Sequence, residues 1–357
     1  MSDHTSKYVK PPSLAIGPAN YAGQATAWAA AVRKHLEVAA WSFAEAPVGS
    51  GGFRFDVDKP IHRALFRNPV ARGMRSRKLF AGLTHVALDG FEPYFHLKRR
   101  RKFAGDLAWL NAAGYKTALI AHGSDVRDPH RHIEVNGKWS MYLAGDAQWR
   151  DDLARAARLH RAVAENSGRP VFYSTPDLRL DLEDGEWLPV CLDVNAWRTD
   201  APLLERAKPR VLHIPSKRIP PIKGTQFVDP VLRKLDDAGK IEYVCPESVP
   251  HSEMRSLVHD VDIVVDQLLA GSYGVAAIES MSAGRVTVGR LAPPVLDLMP
   301  EVPPIVQATP DELEETIVTI VENRDHYRRL GGEGISFAHV WHSGKASATA
   351  LRSYLAR

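Results

Sequence analysis

Apolar and polar positions fall in blocks along the chain, a short apolar run followed by a longer stretch with helical spacing, and the order repeats. SLAIGPANYAGQATAWAAAVRKHL gives an apolar run, a glycine-containing loop and an alanine-rich helix expected over residues 23–35, after which VAAWSF reads as the next strand. HVALDG, GDLAWLNAAG and YKTALIAHGSD continue as strand, helix stopped by Gly114, and strand into loop. AGDAQWRDDLARAARLHRAVAEN predicts a long helix, PVFYSTPDL a strand and turn, and EWLPVCLDVNAW another strand. Apolar on both faces, these strands suit a parallel sheet covered by helices on either side.

After TDAPLLERAKPR the pattern restarts with shorter units: RVLHIPSKR, VDPVLRKLDDAG, KIEYVCPESVP, SEMRSLVHD, VDIVVDQLL, GVAAIESMSAG and RVTVGRL, alternately strand and helix. A boundary is expected near Glu205, giving domains over 1–205 and 206–334. The tail FAHVWHSGKASATALRSYLAR follows GGEG, which reads as a break, so a helix over 335–357 is expected to cross back onto the first domain. The fold class is therefore α/β, two Rossmann-like domains facing each other across a cleft.

With 357 residues, 45% of them apolar and 25% charged, the chain has enough apolar content for two ordinary domains. No apolar run approaches the roughly 20 residues of a spanning helix, and MSDHTSKYVKPPS lacks a signal-peptide core, so a cytoplasmic protein is expected. Cys191 and Cys245 lie in strand-like runs without metal-ligand spacing and read as core thiols. The formal net charge is only +4, yet residues 59–102 hold twelve Lys or Arg against Asp89 and Glu92. That segment is either a solvated basic face or a surface for an anionic membrane or phosphorylated acceptor. Nucleic acid is not expected as a partner, because aromatic residues are not interleaved with these charges.

In sheets of this kind ligands bind beyond the carboxyl ends of the strands, so the loops after strands hold the candidate chemistry. GPANYAGQ offers Gly17, Asn20 and Gly23, either a plain tight turn or a close approach of backbone to a phosphate. AHGSDVRDP presents His122, Ser124, Asp125 and Arg127, with His122 able to bond a sugar hydroxyl or a developing charge. HIPSKRIPPIKGT carries Lys217, Arg218 and Lys223 ahead of Gly224, a solvated basic loop or a diphosphate site. In GSYGVAAIESMSAG, Ser272, Tyr273 and Gly274 precede a helix whose Glu279 lies at the edge of a buried face. That carboxylate is either paired within the protein or reserved for a ligand such as a ribose diol.

The order IPSKRIPPIKGT, VPHSEMRSLVHDVDIVVDQ, GSYGVAAIESMSAGRVTVG resembles the C-terminal domain of GT-B glycosyltransferases, in particular the retaining family 4 group. The resemblance implies that Arg218 and Lys223-Gly224 hold the diphosphate of a UDP-, GDP- or dTDP-sugar donor and that Glu279 bonds the ribose. It also implies that PESVPHSE, with Pro250, meets the nucleobase and that His122 contacts the donor sugar. Arg218, Lys223 and His122 are then the catalytic candidates, with Lys217, Gly17, Asn20, Gly23, Ser272, Tyr273 and Gly274 lining the donor. Gly271 stands where the group carries a first acidic residue, with Asp266 the candidate substitute, and Asp125 and Asp266 are the candidate sugar contacts. No cofactor or metal is implied, and the acceptor would be a glycan, a lipid-linked molecule or a small molecule. The rival readings are an epimerase or hydrolase, in which Glu92, Asp125 and Asp266 converge on the sugar, and a non-catalytic sugar-nucleotide or glycan binder.

Overall fold

The structure, a computed structural model, describes residues 10–45, 55–61, 74, 77–91, 103–215, 220–246 and 249–357. Its first sheet has seven strands: β1 (Ser13–Pro18), β2 (Ala39–Glu45), β3 (Lys59–Ile61), β4 (His85–Asp89), β5 (Lys116–Ala121), β6 (Val171–Tyr173) and β7 (Glu186–Trp187). Their order is β3-β2-β1-β4-β5-β6-β7, and every pair is parallel. Parallel neighbours need crossovers, supplied by α1 (Gln24–Leu36), α2 (Phe103–Ala112) and α5 (Ala147–Asn166), with the short α3 (Gly123–Val126) and α4 (Pro129–Asn136) between β5 and α5. Strand residues alternate between two cores. Leu14, Ile16, Ala87 and Ile120 join α1 on one face, while Ala15, Val86, Leu88 and Leu119 join α2 and Ala164 of α5 on the other.

After a short helix α6 (Val194–Trp197) the second sheet follows: β8 (Arg210–His213), β9 (Glu242–Val244), β10 (Ile263–Val265), β11 (Val286–Gly289) and β12 (Ile305–Gln307). The order β12-β11-β10-β8-β9 is again wholly parallel. Its helices are α7 (Thr225–Asp237), α8 (His251–His259), α9 (Val275–Ser282), α10 (Pro293–Asp297) and α11 (Leu313–Glu322). Val211, Ile263, Val265 and Val288 pack against α7 and α11, whereas Leu212 and Val264 meet α8 and Trp197. Among the described residues, no helix is long and apolar enough to cross a membrane.

Two expectations are corrected. In EWLPVCLDVNAW the strand ends at Trp187, because the carbonyls and amides that follow are taken by side chains rather than by a ladder. Pro189 O accepts from Trp28 Nε1 at 2.8 Å, and Gln24 brackets Cys191 through both its amide nitrogen (2.7 Å) and its carbonyl (3.1 Å). Cys191 is thus buried in the connection between the sheets, its thiol pushed up to about 12 by burial. Ahead of Glu205, Leu204 N donates to Asp262 at 2.6 Å and Trp197 packs on Leu212, so α6 and the residues after it pack with the second sheet.

GGEG is not a break. It lies inside one continuous helix, α12 (Arg324–His342), because Gly331 and Gly334 let that helix close on α9. A Cβ on Gly331 would stand 2.6 Å from Gly284 O, and one on Gly334 3.3 Å from Met281. The crossing back comes later, at Ser343 and Gly344. From there α13 (Lys345–Leu355) seats Ala348, Leu351 and Tyr354 against α1 and the first sheet.

Candidate active site

The loops that follow β8 and β10 are stitched together. Leu268 N donates to Lys223 O (3.4 Å) and Leu269 N to Ile222 O (3.1 Å), and Gly224 at φ +71° turns the chain into α7. Lys223 Nζ thereby reaches Asp266 at 3.3 Å, a residue just beyond the end of β10 that is 3% exposed. One turn into α9, Glu279 points to the same place. Its carboxyl is pushed up to about 8 by burial, with the Asp266 charge acting in the same direction and Lys223 opposing. No described hydrogen bond or ion pair engages that carboxyl, so at neutral pH it is a largely protonated group with both donor and acceptor capacity. Behind it, buried His213 at the end of β8 lies 3.0 Å from Val265 O and 2.9 Å from Thr225 Oγ1, fixing the start of α7.

Between Asp266 and α9 the chain meets the first unit. Gly271 adopts φ +65°, and a Cβ there would stand 2.2 Å from Asn136 Oδ1 on α4. Asn136 in turn accepts from Arg290 at 2.7 Å. His132 Nε2 lies 2.9 Å from Ala270 O, and Met141 N donates to Leu269 O. The position that carries an acid in the resembled group is here a contact between units with no room for a side chain. Arg127, Arg131, His132, Asn136, Asp177 and Gly271 line a shallow crevice, open to solvent, at this junction.

The first sheet's edge is arranged otherwise. Asp89, fully buried at the end of β4, accepts from the amides of Ala19 (2.8 Å) and Asn20 (2.7 Å), and burial pushes its carboxyl up to about 7 against those bonds. Asn20 Oδ1 accepts from Thr26 N at 3.2 Å in the first turn of α1. A Cβ on Gly17 would stand 2.1 Å from Phe43 O, and one on Gly23 2.9 Å from the Phe55 ring. At the end of β5 the His122 ring stacks on Trp28 with centroids 5.8 Å apart and meets Tyr21 edge-on at 5.0 Å. Burial lowers its pKa to about 4, so the ring is neutral, and its Nε2 has no hydrogen-bond partner. Asp125 accepts from His122 N at 3.0 Å and its own amide donates to His122 O, a reciprocal turn.

No family model matches the chain, and no curated protein matches it. Solved structures do, over nearly the full length of both partners. Sucrose-phosphate synthase from Thermosynechococcus elongatus is similar with a TM-score of 0.59 at 13% identity, covering 96% of this chain and 98% of that one. HepE from Anabaena in complex with UDP gives 0.59 at 12%, covering 97% and 99%. An α-glucosyltransferase in complex with UDP and a 13-mer DNA containing an HMU base gives 0.56 at 8%, covering 98% and 100%. The fold is GT-B.

Within this GT-B framework the sequence candidates separate. Lys223, Gly224, Asp266 and Glu279 come together at the carboxyl edge of the second sheet, with Ser272 and Gly274 in the turn that enters α9. Tyr273 is turned inward, its hydroxyl 3.1 Å from His342 Nε2 in α12, because the ring fills the core beneath that turn. Pro250 is exposed and starts α8. In the first unit Gly17, Asn20 and Gly23 are accounted for by packing and by bonds inside the loop, so the amides of Ala19 and Asn20 face Asp89 and not a phosphate. Lys217, Arg218, Glu92 and most of the basic segment 59–102 lie outside the described residues. Among its described residues, Lys59 has its Nζ 3.7 Å from the centroid of the Trp41 ring.

Sequence reasoning passed over Asp89, His213, Asn136 and Arg290. Asp89 had a signal, an acid closing an apolar strand beside the glycine loop. Asn136 had none, since it meets Gly271 across 135 positions of sequence.

Proposed function

We propose that this chain is a glycosyltransferase that moves a sugar from a nucleotide diphosphate sugar to an acceptor, with retention of configuration and without a bound metal. The observation that carries the reading is the convergence of Lys223, Asp266 and Glu279 where the second sheet of a GT-B fold ends. UDP is the nucleotide in the HepE and α-glucosyltransferase complexes, and UDP-glucose is held in another HepE structure of the same fold.

In this reading the ribose diol bonds the protonated Glu279 carboxyl and the diphosphate faces Lys223. Charge grows on the diphosphate as the glycosyl bond breaks, and a preplaced ammonium stabilises it more in the transition state than before. Neutral His122, at the end of β5, is the candidate contact for the sugar from the other unit. The acceptor enters on the side of the first unit, whose basic segment suits an anionic or lipid-linked molecule. An epimerase or hydrolase site is not favoured, because Asp125 is bound within its own turn and Asp266 by Lys223, on different units.

Turnover on a panel of UDP-, GDP- and dTDP-sugars, read as release of the nucleoside diphosphate, tests this. One donor is expected to be used with the anomeric configuration kept and with chelator having no effect. Lys223→Ala is expected to lower its rate about 100-fold. Binding without release across acceptors would overturn the transferase reading in favour of a binding protein.

A further inference from the structure

Arg290 directly follows β11 at the carboxyl edge of the second sheet and is 9% exposed. A buried guanidinium ordinarily carries a carboxylate or a full set of carbonyl acceptors. Arg285, one strand length earlier, shows the second solution: it donates to Ala201 O, Pro202 O, Val261 O and Ala283 O at 2.8–3.2 Å. Arg290 has neither. Its described acceptors are two oxygens of one residue of the facing unit, Asn136 Oδ1 at 2.7 Å and Asn136 O at 3.4 Å, offered side by side as a carboxylate would offer them. No described carboxylate lies within 4 Å of it. Asp266 is engaged by Lys223, and Glu312 is bonded to Thr309.

β11 and β8 are separated by β10, which puts Arg290 roughly 10 Å from the Lys223 loop, at the Gly271 end of the turn. We infer that Arg290 recognises an oxyanion, a carboxylate or phosphate, that the substrate carries outside the donor diphosphate, and that Asn136 holds the guanidinium until the oxyanion replaces it. The inference rests on the glycosyltransferase reading and narrows its substrate to one bearing an acidic group, on either the transferred sugar or the acceptor.

Calorimetric titration with five probes tests it: UDP, UDP-glucose and UDP-glucuronate, then glucose and glucose 6-phosphate in the presence of UDP. One anionic probe is expected to bind about tenfold or more tightly than its neutral counterpart. The UDP-glucuronate arm assigns the oxyanion to the donor, and the glucose 6-phosphate arm assigns it to the acceptor. Arg290→Gln is expected to erase that preference while UDP alone binds within about twofold of wild type. Asn136→Asp, which supplies a permanent carboxylate to Arg290 and keeps the side-chain shape, is expected to erase it as well. The inference is overturned by an absence of anionic preference, by a preference that survives Asn136→Asp, or by a loss of affinity for UDP alone in Arg290→Gln, which would place Arg290 at the diphosphate. Wild-type protein that binds UDP but shows no anionic preference would sink only this inference. Protein that binds no UDP would sink the glycosyltransferase reading with it.

Discussion

Each sheet sends a strand into a turn and then a helix at its carboxyl edge, and the two turns use a buried carboxyl in opposite ways. At the first edge Asp89 accepts from Ala19 and Asn20, and Asn20 Oδ1 accepts from Thr26 N in the first turn of α1, so the loop's polar groups are satisfied within the protein. At the second edge Glu279 is 7% exposed yet bonded to nothing described, and Lys223 answers Asp266 alone. A carboxyl that holds the protein's own amides is a support, whereas one kept without a partner costs stability and is retained for a ligand. On the proposed reading the first edge is the rigid wall of the cleft, and the second is its binding surface.

Removing the support should have the largest effect. Asp89→Ala leaves the buried Asn20 amide and the part-buried Ala19 amide without an acceptor and is expected to cost about 2–4 kcal/mol in urea denaturation. A loss below about 1 kcal/mol would show that the loop opens and finds water, which would break the contrast. Between the two edges, Gly271→Ala forces a Cβ against Asn136 in a left-handed backbone and is expected to cost about 1–3 kcal/mol. Adding Asn136→Gly should recover the steric part and leave the part due to the positive φ. Equal costs in single and double variants would mean that the two units do not press on each other there.

A smaller effect sharpens the contrast through pH. Glu279 has its pKa raised to about 8 from an ordinary 4.5, so the folded chain binds that proton more tightly than the unfolded chain. Its contribution to stability is full below about pH 4.5 and is lost as pH rises through 8. Asp89 behaves alike from 3.8 to about 7, which leaves most of the change between pH 7 and 8 to Glu279 of the two. Stability is expected to fall across that interval by about 1 kcal/mol, and Glu279→Gln should remove most of the slope. A slope unchanged in the variant would assign it to another group.

The architecture was legible because parallel strands buried on both faces leave continuous apolar runs, and LAIG, HVAL, TALI and DIVV all mark real strands. The turn carrying Ser272 to Glu279 was legible as well, since a helix entered from glycine with one acid on its buried side is a local pattern. What local pattern could not show is contact at a distance. GGEG looked like a break because its glycines serve α9 and Gly284, more than 40 positions away, and not the backbone of their own helix. PVCLDV looked like a strand because its apolar residues are buried, but Gln24, Trp28 and His342 supply the bonds that a ladder would have supplied. Gly271 read as a missing acid until Asn136 was seen to fill the space.

The contrast between the edges is tested most directly by UDP affinity measured by calorimetry in wild type, Glu279→Ala and Asn20→Ala, each checked for folding by circular dichroism. Wild type is expected to bind UDP, Glu279→Ala to weaken it by about 1–3 kcal/mol, and Asn20→Ala to leave it unchanged once folded. An unaltered affinity in folded Glu279→Ala, or a loss confined to Asn20→Ala, would contradict the assignment of the second edge as the binding surface.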